Sequence, residues 1–595
     1  MGYGHTNSWH ELLFRIHFSS RPAQPLSLRS TSLLNRSQQY NSPVENFRQK
    51  LKSQVIGASD VIGRLKSNSQ TPVDPIVHAI QQESELWKLW RQRATGKQIL
   101  IATSMSGYIH GSSMDRLLAL ALTEKGHQVA FLLCDSDLEG CQIIKFSSYK
   151  PEDLLASTNT PRCGKCSSNI DSLFAPLGLP IYNFKSDRSE EHRLKAEFRN
   201  KSFEELREFK IDSVQVGMHA WAGAIRYFAT TQFTGEPHAK EVLIRFLISG
   251  IRIHSSMVKV FEDFQPDTLI AHHGIYIPQG VVAEFARSKN VNLMTWTASY
   301  RKGTFIFSPD ETYHYSMVTE PTSNWDSLVL TSTQESTLDK YMISRWRGEN
   351  DWIKFSDSKV DRDKSFKDKS DFYLALTSVT WDAEIHYESR AFENMRAWLA
   401  TTIDYFKANC DLELVIRVHP AEITSPNKSR ESMAGFLELL DIKSCPNITV
   451  IPPESNISTY ELIDKSKVVI VYNTKTGIEA AYREKPVVIA GEAWIRGKGI
   501  GWDALSPTNY LKILESFKKP LEMTHEQRSR AKKYAYHFFF RRMIRFQIFS
   551  NRSANDNLFP DKNLDFQDLL GTNDVNFQEV LHAILENRIP VSKIE

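Results

Sequence analysis

ELVIRVHPAE, from Glu413 to Glu422, is the stretch that decides the fold. Its first half is a run of apolar and β-branched residues, which is typical of a strand buried in a parallel sheet. The run delivers Arg417, His419 and Pro420 at its carboxyl end. Ligands of parallel sheets bind beyond the carboxyl ends of the strands, so this segment predicts both a buried strand and a binding site at its end.

The same pattern of short apolar runs and longer amphipathic stretches extends on both sides of this segment. In the second half of the chain the apolar runs are DFYLALTSV, LELVIRVHP, ITVIPP, KVVIVYN and KPVVIAGE. In the first half they are QILIATS, HQVAFLLCD, DTLIAHHG and VNLMTWT. Alternation of this kind predicts βαβ units with parallel strands. The expected fold class is therefore α/β, with two Rossmann-like domains facing each other across a cleft.

The chain of 595 residues is too long for one hydrophobic core, since single cores stop growing at roughly 250–300 residues. A polar stretch at 324–370, rich in Lys, Asp and Ser, separates the two series of strands and predicts a linker or hinge. The stretch EMTHEQRSRAKKYAYHFFFRRMIRFQIF predicts a long C-terminal helix. The predicted divisions are a tail with a helical extension (1–96), a first Rossmann-like domain (97–323), the linker or hinge (324–370), a second Rossmann-like domain (371–520), and a C-terminal helix with a tail (521–595).

Composition narrows the classes of function. A formal net charge of +3 gives no global field of the kind that nucleic-acid binding uses, so we expect no nucleic-acid partner. No apolar run approaches the ~18 residues that a membrane span needs. Six cysteines without a visible export signal predict a reducing, cytoplasmic location. The basic and aromatic C-terminal helix leaves two interpretations open, packing across both domains or peripheral contact with a membrane.

Four loops follow strands of the second domain and are expected to converge on one crevice. Their candidate ligand-binding residues are Arg417, His419 and Glu422 in the first loop, Ser455 in the second, Asn473, Thr474, Lys475, Thr476 and Gly477 in the third with Glu479 just after it, and Arg496 and Lys498 in the fourth. Hydroxyl groups, a lysine and a strand-to-helix turn suit an anionic ligand. For Glu479 two interpretations stay open, a contact to a ribose or sugar hydroxyl and a helix-stabilising acid.

The strand ends of the first domain carry the candidates for acid–base chemistry. His110 lies in the loop SMSGYIHGSS, His272 and His273 end a later strand, and Asp115 follows the first loop as a candidate orienting carboxylate. An acceptor hydroxyl needs a general base, and histidine is the residue most often used for that role. The sequence does not choose among the three histidines.

Four of the six cysteines lie within a short part of the first domain. They are Cys134, Cys141, Cys163 and Cys166. The last two form a CxxC pair, which is half of a common zinc site, and the first two are a second pair nearby. We weigh a structural zinc site against free thiols, with an iron–sulfur cluster as a third interpretation.

The segments RVHPAE, VIPPESNISTYELID, VIVYNTKTGIEAA and KPVVIAGEAWIRGKG resemble the capsule polysaccharide biosynthesis proteins, surface-glycan transferases of the Kdo-transferase type. The resemblance covers 371–510 and implies the GT-B architecture. An HP motif followed by a hydroxyl-rich loop is also similar to bacterial sialyltransferases. In those families the HP histidine contacts the phosphate of a CMP-sugar. The resemblance thus implies that His419 binds the donor phosphate and that Asn473, Thr474 and Thr476 line its pocket. NTKT departs from the paired serines of these relatives, which leaves the donor nucleotide open.

The resemblance implies a metal-independent glycosyltransferase that moves a sugar from a nucleotide-sugar donor to a growing capsular or other cell-surface polysaccharide. It places the donor on the second domain, the polysaccharide or glycolipid acceptor on the first, and no cofactor in the reaction itself. Contact with the cytoplasmic face of the inner membrane or with export machinery is also expected. The alternatives are a sugar-nucleotide epimerase or polyol-phosphate polymerase of the same fold, and a non-catalytic glycan-binding or export scaffold protein.

Overall fold

The computed structural model describes residues 74–160, 162–185, 188–233, 235–346, 370–382, 391–425, 428–549 and 565–593. The prediction for the N-terminal tail therefore lies outside the described residues up to position 73. The part of the predicted linker at 347–369 lies outside them as well.

Thirteen described strands form two sheets. The strands are β1 (Gln98–Ser104), β2 (Gln128–Leu133), β3 (Ile181–Asn183), β4 (Thr268–His272), β5 (Asn292–Ala298), β6 (Thr304–Pro309), β7 (Phe372–Leu376), β8 (Leu414–Arg417), β9 (Ile448–Ile451), β10 (Ser466–Val471), β11 (Val487–Ile489), β12 (Trp502–Asp503) and β13 (Ile544–Arg545). The first sheet has the order β13-β6-β5-β4-β1-β2-β3, and the second has the order β12-β11-β10-β7-β8-β9. The second sheet is parallel throughout, whereas β6 and β13 add an antiparallel edge to the first.

Helices cover both sheets. Those before the second sheet are Pro75–Gln82, Ser84–Arg93, Ile109–Glu124, Pro151–Leu155, Cys163–Asn169, Glu191–Arg199, Phe203–Arg207, Val216–Phe228, Ala239–Asp263, Gln279–Ser288, Tyr313–Thr319 and Ser332–Trp346. The later ones are Met395–Ala408, Ala421–Thr424, Met433–Glu438, Thr459–Lys465, Thr476–Tyr482, Pro507–Ser516, His525–Tyr536, Phe566–Leu569 and Val575–Glu586. Short π or 3₁₀ turns occupy Ile170–Phe174, Ala175–Leu177, Thr322–Asn324, Ile442–Ser444, His537–Arg542 and Gln547–Phe549.

Both faces of each sheet are buried, because successive side chains of a strand point to opposite faces. In β1, Leu100 packs into one core cluster and Ile101 into another on the opposite face. In β7, Leu374 and Ala375 divide in the same way. This two-sided burial explains why the strands appear in the sequence as nearly unbroken apolar runs. The predicted α/β class with two Rossmann-like domains is confirmed.

The predicted linker is partly wrong, since it contains a packed helix. Residues Ser332–Trp346 are helical, and Leu338, Tyr341 and Met342 lie in the core of the second domain. Its apolar face was hidden by the many polar residues around it, such as Ser332 and Glu335. This helix therefore belongs to the second domain's core and is not a free hinge.

The C-terminal helix is shorter than predicted and returns the chain to the first domain. It runs through His525–Tyr536, continues as a π-helix to Arg542, and is followed by β13. Buried Arg542 and His537 both contact the carboxylate of Glu320 from the first half of the chain. The aromatic side chains of this helix, including Phe538 and Phe540, are buried, as the packing interpretation expected. In the described part of the chain, no helix combines the length and the apolar character that crossing a membrane requires.

Glu431 of the second domain clamps a loop of the first. Its carboxylate accepts hydrogen bonds from Thr230 Oγ1 (2.9 Å) and from the backbone N–H of Thr231 (3.1 Å), and it contacts Gln232 Nε2 (3.2 Å). It also pairs with Arg396 of its own domain. The carboxylate of Glu431 thereby joins the two domains, because it binds Thr230 and Thr231 of the first domain and Arg396 of the second.

Replacing Glu431 by alanine is expected to loosen this clamp while leaving both cores intact. Net values of 0.5–1.5 kcal/mol for each lost hydrogen bond suggest a local loss of about 2 kcal/mol, or roughly 30-fold faster backbone exchange at 229–233. Hydrogen exchange followed by mass spectrometry measures this change. The control is Glu438→Ala, an exposed acid on the neighbouring helix, which should change nothing there. Unchanged exchange in Glu431→Ala would contradict the clamp.

Candidate functional site

The carboxyl edges of the two sheets meet through the loops that follow their strands. Tyr276 Oη donates to Asp382 Oδ1 at 2.6 Å, which joins the loop after β4 to the loop after β7. Lys475 Nζ lies 4.8 Å from the ring centroid of Tyr300, which follows β5. The ring of Trp494, after β11, lies 5.7 Å from that of His314. These contacts define a cleft between the domains, which we call the inter-sheet cleft.

His419 lies on the second-domain side of the inter-sheet cleft in a fixed tautomer. Its backbone N–H donates to Thr377 Oγ1, and its ring Nδ1 accepts from the backbone N–H of Ala421, both at 3.0 Å. Because Nδ1 accepts, the proton of the neutral ring is on Nε2. Burial, together with the positive charges of Lys475 and Arg417, lowers the pKa of His419 to about 4. His419 therefore presents a neutral Nε2–H donor at physiological pH.

The loop Asn473–Gly477 is held by bonds within itself and to the next loop. Thr474 Oγ1 accepts from the backbone N–H of Thr476 (3.3 Å) and lies 3.1 Å from its hydroxyl oxygen. Asn473 Oδ1 accepts from the backbone N–H of Glu492 at 2.7 Å. A Cβ on Gly477 would lie 3.1 Å from Ile495 Cδ1, so this glycine permits the close approach of the two loops. Lys475 remains as the cation between this loop and the first domain.

Glu479 is a structural acid rather than a surface available to a sugar. It is 1% exposed, and Arg345 Nη2 donates to its Oε1 at 2.6 Å. Tyr460 also donates to its carboxylate, and Lys475 Nζ lies 3.3 Å away. These cations hold the pKa of Glu479 at about 2 despite the burial that opposes ionisation. Of its two interpretations, the structure supports the stabilising acid.

Arg496 and Lys498 were predicted as ligand-binding residues of the fourth loop, but both side chains are buried in protein contacts. Arg496 donates to the carbonyl oxygens of Gly491 (2.6 Å) and Ala504 (2.9 Å). Lys498 Nζ donates to the carbonyl oxygens of Val318 (3.1 Å) and Glu320 (3.2 Å). The glycine-rich basic sequence does not show that the Arg and Lys side chains will donate hydrogen bonds to buried backbone carbonyl groups. These side chains fix the loop and its contact with the first half of the chain.

Arg417, Glu422 and Ser455 form the support behind His419. Arg417 is buried and donates to the carbonyl oxygens of Pro452 and Ser455, and burial lowers its pKa to about 10. Glu422 accepts from the backbone N–H of Met433 at 3.0 Å, and burial raises its pKa to about 7. Both side chains position the loops after β8 and β9.

The candidates of the first domain lie in a row of rings. The ring of Tyr108 is 5.9 Å from that of His110 and 5.0 Å from that of His272, and the rings of His272 and His273 are 5.5 Å apart. Burial lowers the pKa of His272 to about 3. The structure thus brings the three predicted histidines together at the carboxyl edge of the first sheet, with Tyr108 between two of them.

Asp115 lies deeper, on the helix after β1. It is 2% exposed and accepts from Thr103 Oγ1 at 2.7 Å. Burial raises its pKa to about 8. The neighbouring Arg116 pairs with Asp74, at 2.6 Å between Nη1 and Oδ1. The buried carboxyl group of Asp115 therefore supports the carboxyl end of β1 through its hydrogen bond with Thr103.

Sequence reasoning missed five further side chains of the inter-sheet cleft, which are three aromatic residues, one histidine and one aspartate. They are Tyr300, Tyr313, His314, Asp382 and Trp494. His314 is buried, which lowers its pKa to about 4, and its ring lies 5.9 Å from that of His273. His314 lies on the helix Tyr313–Thr319, which follows β6. Because β6 runs antiparallel to β5, the rule of strand ends does not point to His314.

The four predicted metal ligands, Cys134, Cys141, Cys163 and Cys166, line one cavity of the first domain. As the side chains stand, no group of three or more His, Cys, Asp and Glu residues in the described ranges is arranged to hold a metal ion. The predicted zinc site is therefore not preformed, although the topology does bring its four residues together.

Two Rossmann-like domains with facing strand ends, joined by a helix that returns to the first domain, define the GT-B class of α/β proteins. The model of the family described as capsule polysaccharide biosynthesis protein matches residues 330–528. This range includes all four strand-end loops of the second domain, and the resemblance predicted from the sequence is confirmed there. No curated protein matches the chain.

Several solved structures share parts of this architecture at low identity. KpsC of Thermosulfurimonas dismutans, a β-Kdo 2,4-transferase, is 12% identical over 44% of this chain and 78% of its own, with a TM-score of 0.29. A glycosyltransferase of Rickettsia africae is 9% identical over 83% of this chain and 100% of its own, with a TM-score of 0.27. UDP-GlcNAc 2-epimerase of Neisseria meningitidis is 12% identical over 74% and 94%, with a TM-score of 0.23. Likenesses at these TM-scores carry no argument about residues or reaction.

Proposed function

We propose that the protein is a glycosyltransferase that moves a sugar from a nucleotide-sugar donor to a growing capsular or other cell-surface polysaccharide. The observation that carries the proposal is the placement of neutral His419 beside Lys475, at a strand end that faces the first domain. Both residues lie within the range that matches the capsule polysaccharide biosynthesis family.

In this proposal His419 and Lys475 stabilise the phosphate that leaves with the nucleotide. The Nε2–H group of His419 donates to a phosphate oxygen, and the ammonium of Lys475 balances the charge that develops as the glycosidic bond breaks. Fixed donors of this kind are already oriented before reaction, so they stabilise the transition state without reorganising. The hydroxyls of Thr474 and Thr476 line the same pocket. The scheme uses protein groups alone, with no metal ion or cofactor in the chemical step.

On the acceptor side we assign proton removal to His273. Its ring lies 5.4 Å from that of Tyr276, whose hydroxyl bonds Asp382 of the second domain, so it stands at the junction of the domains. A neutral imidazole can accept the proton of the attacking acceptor hydroxyl. His272 is more deeply buried than His273, and burial lowers the pKa of His272 to about 3, which makes it a poor base. We place this reaction in the cytoplasm, at the inner face of the membrane where a glycan chain and its export machinery meet.

A donor-binding screen tests the proposal directly. We expect one class among CMP-, UDP- and GDP-sugars to raise the melting temperature, since a ligand at 100 times its Kd stabilises the folded state by about 2.7 kcal/mol. Mass spectrometry of products with a polysaccharide acceptor should then show an added sugar. An isomerised sugar nucleotide formed without acceptor would instead indicate an epimerase. Absence of binding across the whole panel would overturn the enzyme proposal in favour of a scaffold.

A further inference from the structure

Four thiols from separate segments of the first domain converge on one cavity. Cys134 follows β2, Cys141 lies in the loop beyond it, and Cys163 and Cys166 lie on the helix Cys163–Asn169. Met105, just after β1, adds a fifth sulfur to the lining. The remaining wall is formed by Ser136, Leu138, Ile143, Thr160, Arg162 and Pro278, so the cysteines are its side chains of the kind that bind zinc.

Cys166 connects this cavity to the loop after β1, which carries Tyr108 of the row of rings. Its Sγ accepts from the backbone N–H of Gly107 at 3.3 Å, and its carbonyl oxygen accepts from Ser106 Oγ at 2.7 Å. Asn169 Nδ2 donates to the carbonyl oxygen of Ser106 at 2.7 Å. A Cβ on Gly107 would lie 2.7 Å from the sulfur, so only glycine allows the loop this close. The position of Tyr108, and with it the row of rings, therefore depends on the helix Cys163–Asn169.

The thiols share one electrostatic environment. Burial, together with the neighbouring Cys163 and Cys166, raises the pKa of Cys141 to about 12. The same causes raise the pKa of Cys134 well above its usual value. Arg245 stands beside Cys141 and Cys163, and it donates to the carbonyl oxygens of Glu139 and Thr158. The four thiols therefore line one buried cavity, and cysteine sulfur is a usual ligand of structural zinc.

We propose that Cys134, Cys141, Cys163 and Cys166 bind one zinc ion and thereby fix the loop of Ser106 and Gly107 at the edge of the inter-sheet cleft. Each thiol that ligates releases one proton, and the metal stays Zn²⁺ throughout. The sulfur atoms must turn inward to reach one ion. Rotation of χ1 between staggered wells moves a cysteine Sγ by roughly 3 Å. The proposal requires such a rotation of Cys134, Cys141 and Cys163, while Cys166 Sγ keeps its contact with Gly107.

Metal analysis of the full chain, purified without chelators and loaded with Zn²⁺, tests the site. We expect about one zinc per chain, as a four-thiolate structural site binds a single ion. Cys163→Ser and Cys166→Ser should each lose most of this metal. Cys445→Ser is the matched control, because Cys445 lies in the second domain, and its zinc content should equal that of the natural chain. Zinc content that stays unchanged in both first-domain variants would overturn the proposal.

Cobalt substitution gives a second measurement on the natural chain, so the test does not depend on whether the cysteine variants fold. Co²⁺ bound by several thiolates in tetrahedral geometry should show intense visible bands and sulfur-to-cobalt charge transfer. Chelation should then speed hydrogen exchange at Ser106 and Gly107 while leaving β8 unaffected. Overturning results are cobalt bound without charge transfer, iron with acid-labile sulfide, or a Cys163–Cys166 disulfide in protein prepared under reducing conditions. None of these outcomes depends on transferase activity, so the zinc site and the proposed function fail separately.

Discussion

His419→Ala is expected to lower kcat/KM for the nucleotide-sugar donor by roughly 100-fold or more, the loss seen when a fixed donor to a developing anion is removed. The expectation follows from the tautomer of the ring. Nδ1 accepts from the Ala421 backbone, which leaves the Nε2–H directed away from its own loop. Alanine removes that donor and leaves the buried strand β8 intact.

His419→Gln is the matched variant, since the amide of glutamine can place an N–H near the position of Nε2. We expect it to keep most of the activity that His419→Ala loses. Steady-state kinetics with the donor found in the screen measures both, and thermal unfolding checks that both variants fold. Equal activity of His419→Ala and the natural chain would contradict the phosphate contact.

The pH dependence separates a neutral donor from a charged one. The pKa of His419 is lowered to about 4, so its ring is neutral throughout the physiological range. The ratio of natural to His419→Gln activity should therefore stay constant between about pH 6 and 8, the interval in which an ordinary histidine loses its charge. A ratio that falls as the pH rises through that interval would mean that the imidazolium, and not the neutral ring, binds the phosphate.

Arg345→Ala is expected to destabilise the second domain by about 3–5 kcal/mol, the cost of removing one partner of a buried ion pair. Arg345 and Glu479 are 2% and 1% exposed, with 2.6 Å between Nη2 and Oε1. Without the guanidinium, Glu479 is left charged in the core with Tyr460 and Lys475 as its remaining partners. Urea unfolding followed by circular dichroism measures the loss of free energy.

The acid range gives this pair a signature. Because the pKa of Glu479 is depressed to about 2, its contribution is fully present above the unfolded value of about 4.3 and is lost as the pH falls toward 2. Arg345→Ala should flatten that part of the stability profile. Lys465→Ala, which breaks the more exposed pair with Glu461, is the control and should cost less than about 1 kcal/mol. Equal losses in the two variants would contradict a special role for the buried pair.

The strand ends of the second domain show how far the sequence reaches. His419 and the loop Asn473–Gly477 could be predicted because an apolar run, a break and a polar group are all local features of the chain. The roles of Arg496, Lys498 and Glu479 could not be predicted in the same way. Lys498 and Glu479 are satisfied by partners far along the chain, Val318 and Arg345 respectively. Arg496 is bound by carbonyl groups of its own loop, whose path the sequence does not show.

The inter-sheet cleft itself lies beyond local pattern. Tyr300 follows β5 and Trp494 follows β11, and the carboxyl ends of these two strands face each other. The helix after the antiparallel strand β6 brings the ring of His314 to the same place. The short strands β3 and β13 were missed for a related reason. Two or three residues are too few to show a periodic pattern in the sequence, and these segments form strands because they pair with the edge of a sheet.

By itself the sequence determined the α/β class, the two Rossmann-like domains and the strand-end loop that carries His419, because buried parallel strands leave a continuous apolar run that ends where ligands bind. Only the tertiary structure decided which charged groups face the inter-sheet cleft and which are paired with buried groups in the core. That division depends on long-range partners and on burial, and neither is written in the spacing of neighbouring residues.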